Sequence, residues 1–339
     1  MRVLEKSEID AFRVDGVAHI KKAVSRELVQ EILNSVDRLI NEPGRFGGSM
    51  TAPHDPGMFF QDRYLYTTHH EFRRYADTCG LAAIAAVATG SKKIRLYYDH
   101  VFVKDPGTQE SFVWHQDRPY WAVDGTQICS TWLALTDTNA NSSALEFVRG
   151  SHLWNKTFKP EYPALEGRSP EEVEKALWKG VAQHISSFEE QCPVFEDEPD
   201  RYEILNFDVQ AGDALMFDFR TVHRSGPNRG NTRRAAISWR WLGDDAFWDP
   251  KPGADPIIGE NDTILSAGAL ITDDEAFPPI YTTTNQSKSN PIRSSIITWN
   301  LNSPIDLNCL NYRDVTVTQS MIVIGTISKE SLQKMQCST

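Results

Sequence analysis

At residue 93 the chain changes texture in a way that narrows the folds open to it. Residues 93–104, KIRLYYDHVFVK, are rich in β-branched and aromatic side chains and close on Asp105-Pro106-Gly107, which predicts a long strand ended by a turn. FVWHQD, QICSTWLALTD, SALEFVRGS, DALMFDF and AAISWRWLG follow as shorter strand candidates with turn signals between them. Upstream the pattern is helical. Leu28, Val29, Ile32, Leu33, Val36, Leu39 and Ile40 fall at helical spacing over 26–41 behind Ser25 as N-cap, and 71–89 reads as a second helix closed by Gly90. Helices first, then many short strands and no internal repeat, favour a mainly β barrel or jelly roll buttressed by helices over an alternating β/α sheet.

One excursion interrupts the strands at 155–205. Ser169-Pro170-Glu171-Glu172 is a helix start, with serine at the N-cap, proline at N1 and glutamate at N3, and it predicts a helix through EEVEKALWKGVAQ. The acidic stretch 189–201 then reads as an exposed loop, placed where it could serve as a lid. Residues 282–339 differ again: TTTNQSKSNPIRSS is linker-like, VTVTQSMIVIGTIS has the pattern of a hairpin, and the tail has five basic and three acidic residues. The expected organisation is one domain over 1–281 and a C-terminal extension over 282–339.

Composition removes several classes of function. The 339 residues have a net charge of −11 and no Lys/Arg-rich run, which disfavours a nucleic-acid or anionic-membrane partner. No apolar run has the length of a membrane span and the N-terminus lacks a signal-peptide core, so a cytoplasmic protein is expected. Five scattered cysteines, Cys79, Cys129, Cys192, Cys309 and Cys337, fit neither a disulfide framework nor a CxxC zinc site.

The chemistry concentrates in Trp114-His115-Gln116-Asp117. Residues i and i+2 of a strand project to one side, so His115 and Asp117 would offer an imidazole and a carboxylate to one point. His223, after the strand-like DALMFDF, is the best third ligand. Two histidines and one carboxylate on one face of a metal form the facial triad of non-haem Fe(II) oxygenases, with three positions open. Arg233 and Arg234 follow ten and eleven residues after His223 and could grip the distal carboxylate of an oxo acid, with Ser225 adding a hydroxyl. Each residue also has an ordinary reading, since a lone HxD arises by chance; His100 and His152 read as strand-end or turn histidines. Asn228 and Gly226-Pro227 read as turn formers.

WHQDRPYW, STWLALTD, ALEFVRGSH and GDALMFDFRTVHRSGPNRGNTRRAAISWRW, in this order, resemble the phytanoyl-CoA dioxygenase family, over roughly residues 10–250 and including MFFQDRYLY. The resemblance implies a double-stranded β-helix, a cupin-like jelly roll, with Fe(2+) held by His115, Asp117 and His223. It implies 2-oxoglutarate on the iron, paired with Arg234 by register against R-x-A-I-S, and Gln116, Trp132 and Ser225 lining the cosubstrate pocket. Related halogenases lack the carboxylate, so Asp117 favours oxygenation. The activity implied is an O2-consuming dioxygenase that hydroxylates or otherwise tailors a small molecule, releasing succinate and CO2. A secondary metabolite is the expected substrate; an acyl-CoA is disfavoured by the absence of a basic cluster. Trp121 and Phe60, flanking motif loops, are the expected substrate walls, and a homodimer is left open. Two readings from other classes are a non-catalytic ligand-binding barrel and a zinc hydrolase, against which stand the intact triad with Arg234 and the lack of a separate general-base motif.

Overall fold

The computed structural model describes residues 2–283, apart from 52–53, 163–166, 168, 177–179, 252, 255–257 and 260–261. The expected extension, including the VTVTQSMIVIGTIS hairpin, therefore lies outside the described residues except for Thr282 and Thr283.

The first half of the chain gives β1 (Val17–Ile20), β2 (Gly48–Ser49), β3 (Phe59–Arg63), β4 (Lys93–Lys104), β5 (Phe112–His115), β6 (Val123–Asp124), β7 (Ile128–Ala134) and β8 (Leu145–Val148). The second gives β9 (Ile204–Asn206), β10 (Ala214–Asp218), β11 (His223–Ser225), β12 (Arg234–Leu242), β13 (Phe247–Trp248) and β14 (Pro279–Thr282). A large sheet has the order β1-β10-β7-β12-β4-β3-β2, with β14 also on β4, and a small sheet has the order β5-β11-β8-β9. From β4 to β12 the main strands pass back and forth between the two sheets, and every pairing is antiparallel. This is the double-stranded β-helix expected from the sequence.

β4 and β12 are buried along nearly their whole length because the large sheet is covered on both sides. Its outer face, with Val101, Val103, Ile237, Trp239 and Trp241, packs against helical residues such as Ile32, Leu81 and Ala85. Its inner face turns Trp132, Ala134, Leu215, Phe217 and Ala236 toward Leu145 and Phe147 of the small sheet. Each fully buried aromatic or branched side chain contributes roughly 1.5–3 kcal/mol. Two-sided burial explains why β4 reads as an unbroken run and not as an alternating pattern.

The helices are α1 (Lys6–Asp15), α2 (Arg26–Asn41), α3 (His70–Thr78), α4 (Leu81–Thr89), α5 (Pro170–Ala176) and α6 (Val181–Ser186). α2 matches expectation: Ser25 Oγ accepts from Leu28 N at 3.3 Å, and Val29, Ile32, Val36 and Leu39 are buried. Two expectations need correction. The single helix over 71–89 is two, because Gly80 at φ +81° starts α4 in a left-handed conformation that an L-residue helix does not hold. The helix opened by Ser169 has its capping box, with Glu172 Oε2 accepting from Ser169 N and Ser169 Oγ from Glu172 N, but it does not run on through Gln183: Gly180, at φ +87°, is left-handed and a second helix begins after it. The excursion leaves and rejoins the barrel at one neck, where Val148 pairs with Ile204 and Arg149 N donates to Glu203 O at 2.9 Å. Among the described residues no helix is long and apolar enough to cross a membrane.

On the outer side of β4, Asp99 is fully buried; its Oδ1 accepts from Leu65 N at 2.6 Å while Oδ2 has no partner. Burial pushes this carboxyl up to about 7. The folded state then holds a proton that the unfolded chain releases, so stability falls as pH rises from about 4 to about 7. Urea unfolding at about pH 5 and about pH 8 should show this fall, and Asp99→Asn, which keeps an acceptor for Leu65, should flatten it.

Candidate metal centre

His115 ends β5 and His223 begins β11, and the two are paired directly across the small sheet. Their ring centroids are 4.3 Å apart, and His223 also lies against Phe147 and Phe217. Asp117 arrives differently from the strand alternation read in the sequence. The strand stops at His115, and Asp117 adopts a helical conformation (φ −70°, ψ −32°) at the start of a 3-10 turn, Arg118–Tyr120. Phe219 O fixes that turn by accepting from both Asp117 N and Arg118 N, at 3.0 and 3.1 Å. One ligand atom from each of His115, Asp117 and His223 then lies within 4.8 Å of the others.

Backbone carbonyls set the tautomers. His115 Nδ1 donates to Val113 O at 2.7 Å and His223 Nδ1 to Thr221 O at 2.9 Å, which leaves each Nε2 as a bare lone pair. Burial lowers both imidazoles, and for His223 burial and then neighbouring His115 bring the value to about 4, so both rings are neutral at physiological pH. Asp117 Oδ2 accepts from Ser130 Oγ at 3.2 Å, while Oδ1 lies 4.0 Å from His223 Nε2. Two neutral imidazoles and a carboxylate facing one point can hold a divalent first-row metal.

Deeper in the barrel the register pairs Arg234 on β12 with Lys104 on β4. Arg234 is 1% exposed; Nε and Nη2 donate to Ser143 O at 3.2 and 3.1 Å, its guanidinium lies 5.2 Å from the Trp132 ring centroid, and Nη1 has no partner. Lys104, the last residue of the predicted 93–104 strand, is not among the residues the sequence singles out. Its Nζ donates to Glu110 O and Gly226 O, both at 2.8 Å, and to Ser225 Oγ at 3.3 Å. Burial and the charge of Arg234 push the Lys104 amine down to about 6, and burial lowers Arg234 to about 9. Neither cation has an ion-pair partner among the described residues. Arg233, by contrast, points outward to Asp37 and Asp105.

The structure thus groups Arg234, Ser225 and Trp132 as expected and moves two other residues. Gln116 is used structurally: its Nε2 donates to Lys156 O and Arg220 O and its Oε1 accepts from Phe158 N, so its amide ties the excursion to the barrel. Phe60 packs outward with Val103 in the helix-covered core. Its neighbour Phe59 faces inward, 5.0 Å from Lys104 Nζ and 5.5 Å from Phe112, because consecutive strand residues alternate faces. Trp121, expected as the other substrate wall, is buried in the large core cluster, packed on Tyr97, Tyr98 and Phe219. His152 is bound to the N-terminal helix: its Nε2 donates to Arg13 O at 3.1 Å, and adjacent Ser151 Oγ accepts from Val222 N. Asn228 shapes its turn through Lys104 O, Thr232 O and Gly230 N.

The acidic stretch is pinned and not merely solvated. Phe195 is buried against Trp114, Trp154 and Tyr202, Glu196 accepts from Trp114 Nε1 at 3.0 Å, and Arg224 bridges Glu196 and Glu146. Trp114 and Arg224 are chain neighbours of His115 and His223, so this segment braces the outside of the two ligand strands.

Ser130 supplies the hydrogen bond that orients Asp117. Ser130→Ala should weaken Fe(II) or Co(II) binding by about 10- to 100-fold with little change in melting temperature, and Asp117→Ala should abolish it; calorimetric metal titration measures both.

The family profile described as phytanoyl-CoA dioxygenase (PhyH) matches residues 12–236. Over 231 residues the chain is 24% identical to an ectoine dioxygenase of Nocardia farcinica, covering 66% of this chain and 73% of that protein. Among solved structures, the non-haem α-ketoglutarate-dependent carbocyclase SnoK from nogalamycin biosynthesis superposes with a TM-score of 0.60 at 20% identity, covering 82% of this chain and 97% of that one. The epimerase SnoN, solved with Fe3+, α-ketoglutarate and nogalamycin RO, gives 0.61 at 21% identity over 81% and 98% of the two chains. These structural likenesses are likenesses of fold. With the profile covering most of the chain, this protein belongs to the phytanoyl-CoA dioxygenase family.

Proposed function

We propose that this protein is an Fe(II)- and 2-oxoglutarate-dependent dioxygenase that hydroxylates or otherwise oxidises a small molecule, a secondary metabolite. One observation supports the reading above all. A buried His-Asp-His donor set shares the barrel interior with the guanidinium of Arg234 and the amine of Lys104, neither of which has an ion-pair partner among the described residues. Uncompensated buried charge is costly, and an anionic ligand with two carboxylates removes that cost. The residues fit both groups. His115, Asp117 and His223 would hold iron, and the unpartnered Nη1 of Arg234, with Lys104 and Ser225, would take the distal carboxylate of 2-oxoglutarate. Family membership and the ectoine dioxygenase relative support the same class.

When bound, iron, 2-oxoglutarate and O2 together supply the oxidising power, and succinate and CO2 are the products. The chain's own part is orientation and exclusion of water. Val113 O and Thr221 O hold the imidazoles, Ser130 holds Asp117, and the Trp132 ring fixes the plane of Arg234. Tyr120, 5.9 Å from His115, exchanges hydrogen bonds with the Glu161 backbone and so lays the excursion over the metal side of the barrel.

Anaerobic addition of Fe(II) and 2-oxoglutarate should produce a weak visible charge-transfer band. His115→Ala and Arg234→Ala should each remove it and abolish succinate release with substrate; zinc-supported hydrolysis without the band would sink the reading. Because the Lys104 amine is held down near 6, cosubstrate binding at higher pH must return a proton to it. Affinity for 2-oxoglutarate should therefore fall as pH rises above about 6, with proton uptake seen by calorimetry in buffers of different ionisation enthalpy. Lys104→Met should weaken binding and eliminate that pH dependence.

A further inference from the structure

We infer that the substrate of this site carries a compact anionic group, of carboxylate type, and that Arg240 and Ser238 receive it; the inference rests on the oxygenase reading above. Arg240 is 6% exposed on the inner face of β12, and it has no ion-pair partner among the described residues. Nη1 donates to Ser238 O at 3.2 Å, while Nε is buried without a partner. Its guanidinium lies 4.9 Å from the Tyr98 ring centroid and 5.9 Å from that of Phe102, held by aromatic faces in place of a carboxylate. The Ser238 hydroxyl, two residues back on the same face, is also buried and unpartnered.

The register puts these donors beside the metal. Arg240 is paired with Ser130, the residue whose hydroxyl binds Asp117, so the guanidinium springs from the strand next to the metal carboxylate's support. Ser238 is paired with His100, whose Nε2 lies 3.2 Å from Gln61 Oε1. Burial and the charges of Arg240 and Arg63 keep that imidazole neutral, and the same Arg240 charge lowers His115 and His223. This cation is one full side-chain layer and more along β12 from Arg234, with Ala236 and Ser238 between them on the inner face, so one cosubstrate carboxylate at Arg234 leaves it unanswered. A buried guanidinium with a free N–H, next to a free hydroxyl on the same inner row and paired in register with the residue that supports Asp117, is a receiver for an anion.

The test uses the Fe(II)- and 2-oxoglutarate-loaded protein without oxygen, titrated with benzoate, phenylphosphonate and neutral benzamide and followed by thermal shift. Benzoate should bind at least about tenfold tighter than benzamide, as expected of a charge-assisted hydrogen bond. Arg240→Gln should erase that preference with affinities for Fe(II) and 2-oxoglutarate unchanged, Arg240→Lys should keep part of it, and Ser238→Ala should lower benzoate affinity severalfold without lowering the melting temperature. Preference for phenylphosphonate over benzoate would assign the receiver to a phosphoryl group and overturn the carboxylate assignment. Equal binding of benzoate and benzamide by the native protein would overturn the inference, as would a preference surviving in Arg240→Gln. A parallel loss of Fe(II) or 2-oxoglutarate affinity in Arg240→Gln would also overturn it, by assigning the guanidinium to Asp117 or to the cosubstrate. The charge-transfer band is recorded before any anion is added, so failure of the oxygenase reading is seen separately from failure of this one.

Discussion

The pairing of β12 with β4 is the constraint on which the barrel's chemistry depends. Both strands are buried on both sides, so neither can slip by one residue without sending tryptophans into the cavity and charges into the helical core. The register that keeps Ile237, Trp239 and Trp241 outward sets Arg234, Ser238 and Arg240 inward, opposite Lys104 and His100. A hydrophobic requirement on one face thus fixes the positions of cations on the other.

Much of this was legible in the sequence where a local rule governs the outcome. α2 follows from periodicity and its cap and the strands from β-branched and aromatic runs, whereas the distance after His223 offers Arg233 and Arg234 equally and the family resemblance chooses Arg234. The misses occur where tertiary structure chooses between equal local options. Phe59 and Phe60 are adjacent aromatic residues in one strand, and only the pairing with Lys104 and Val103 decides which one faces inward. Gln116 lies between two candidate ligands, yet its amide is taken up by backbone groups of Lys156, Phe158 and Arg220. Lys104 carries no local signal of a role, because nothing near it in the sequence reveals that Asn228 and Gly226 fold back over it.

Electrostatically the protein is layered. Its net charge of −11 describes the surface, whereas the inner row of β4 and β12 is basic and its histidines are kept neutral by burial. Global charge therefore predicts poor binding of polyanionic polymers and says little about a small anion that can enter the barrel.

The closed neck of the excursion bears on how this barrel can diverge. Val148 and Ile204 are already cross-strand partners, so the two ends of the excursion are held together by the sheet. Lengthening such a segment costs little loop-closure entropy, because that cost grows only with the logarithm of length, about 0.6 kcal/mol per doubling. A replacement must still supply an acceptor for Trp114 and Arg224, as Glu196 does, backbone partners for the buried Gln116 amide, as Lys156 and Phe158 do, and a backbone partner for Tyr120. A catalytic barrel can in this way exchange its covering segment by insertion or deletion while the metal strands keep their register.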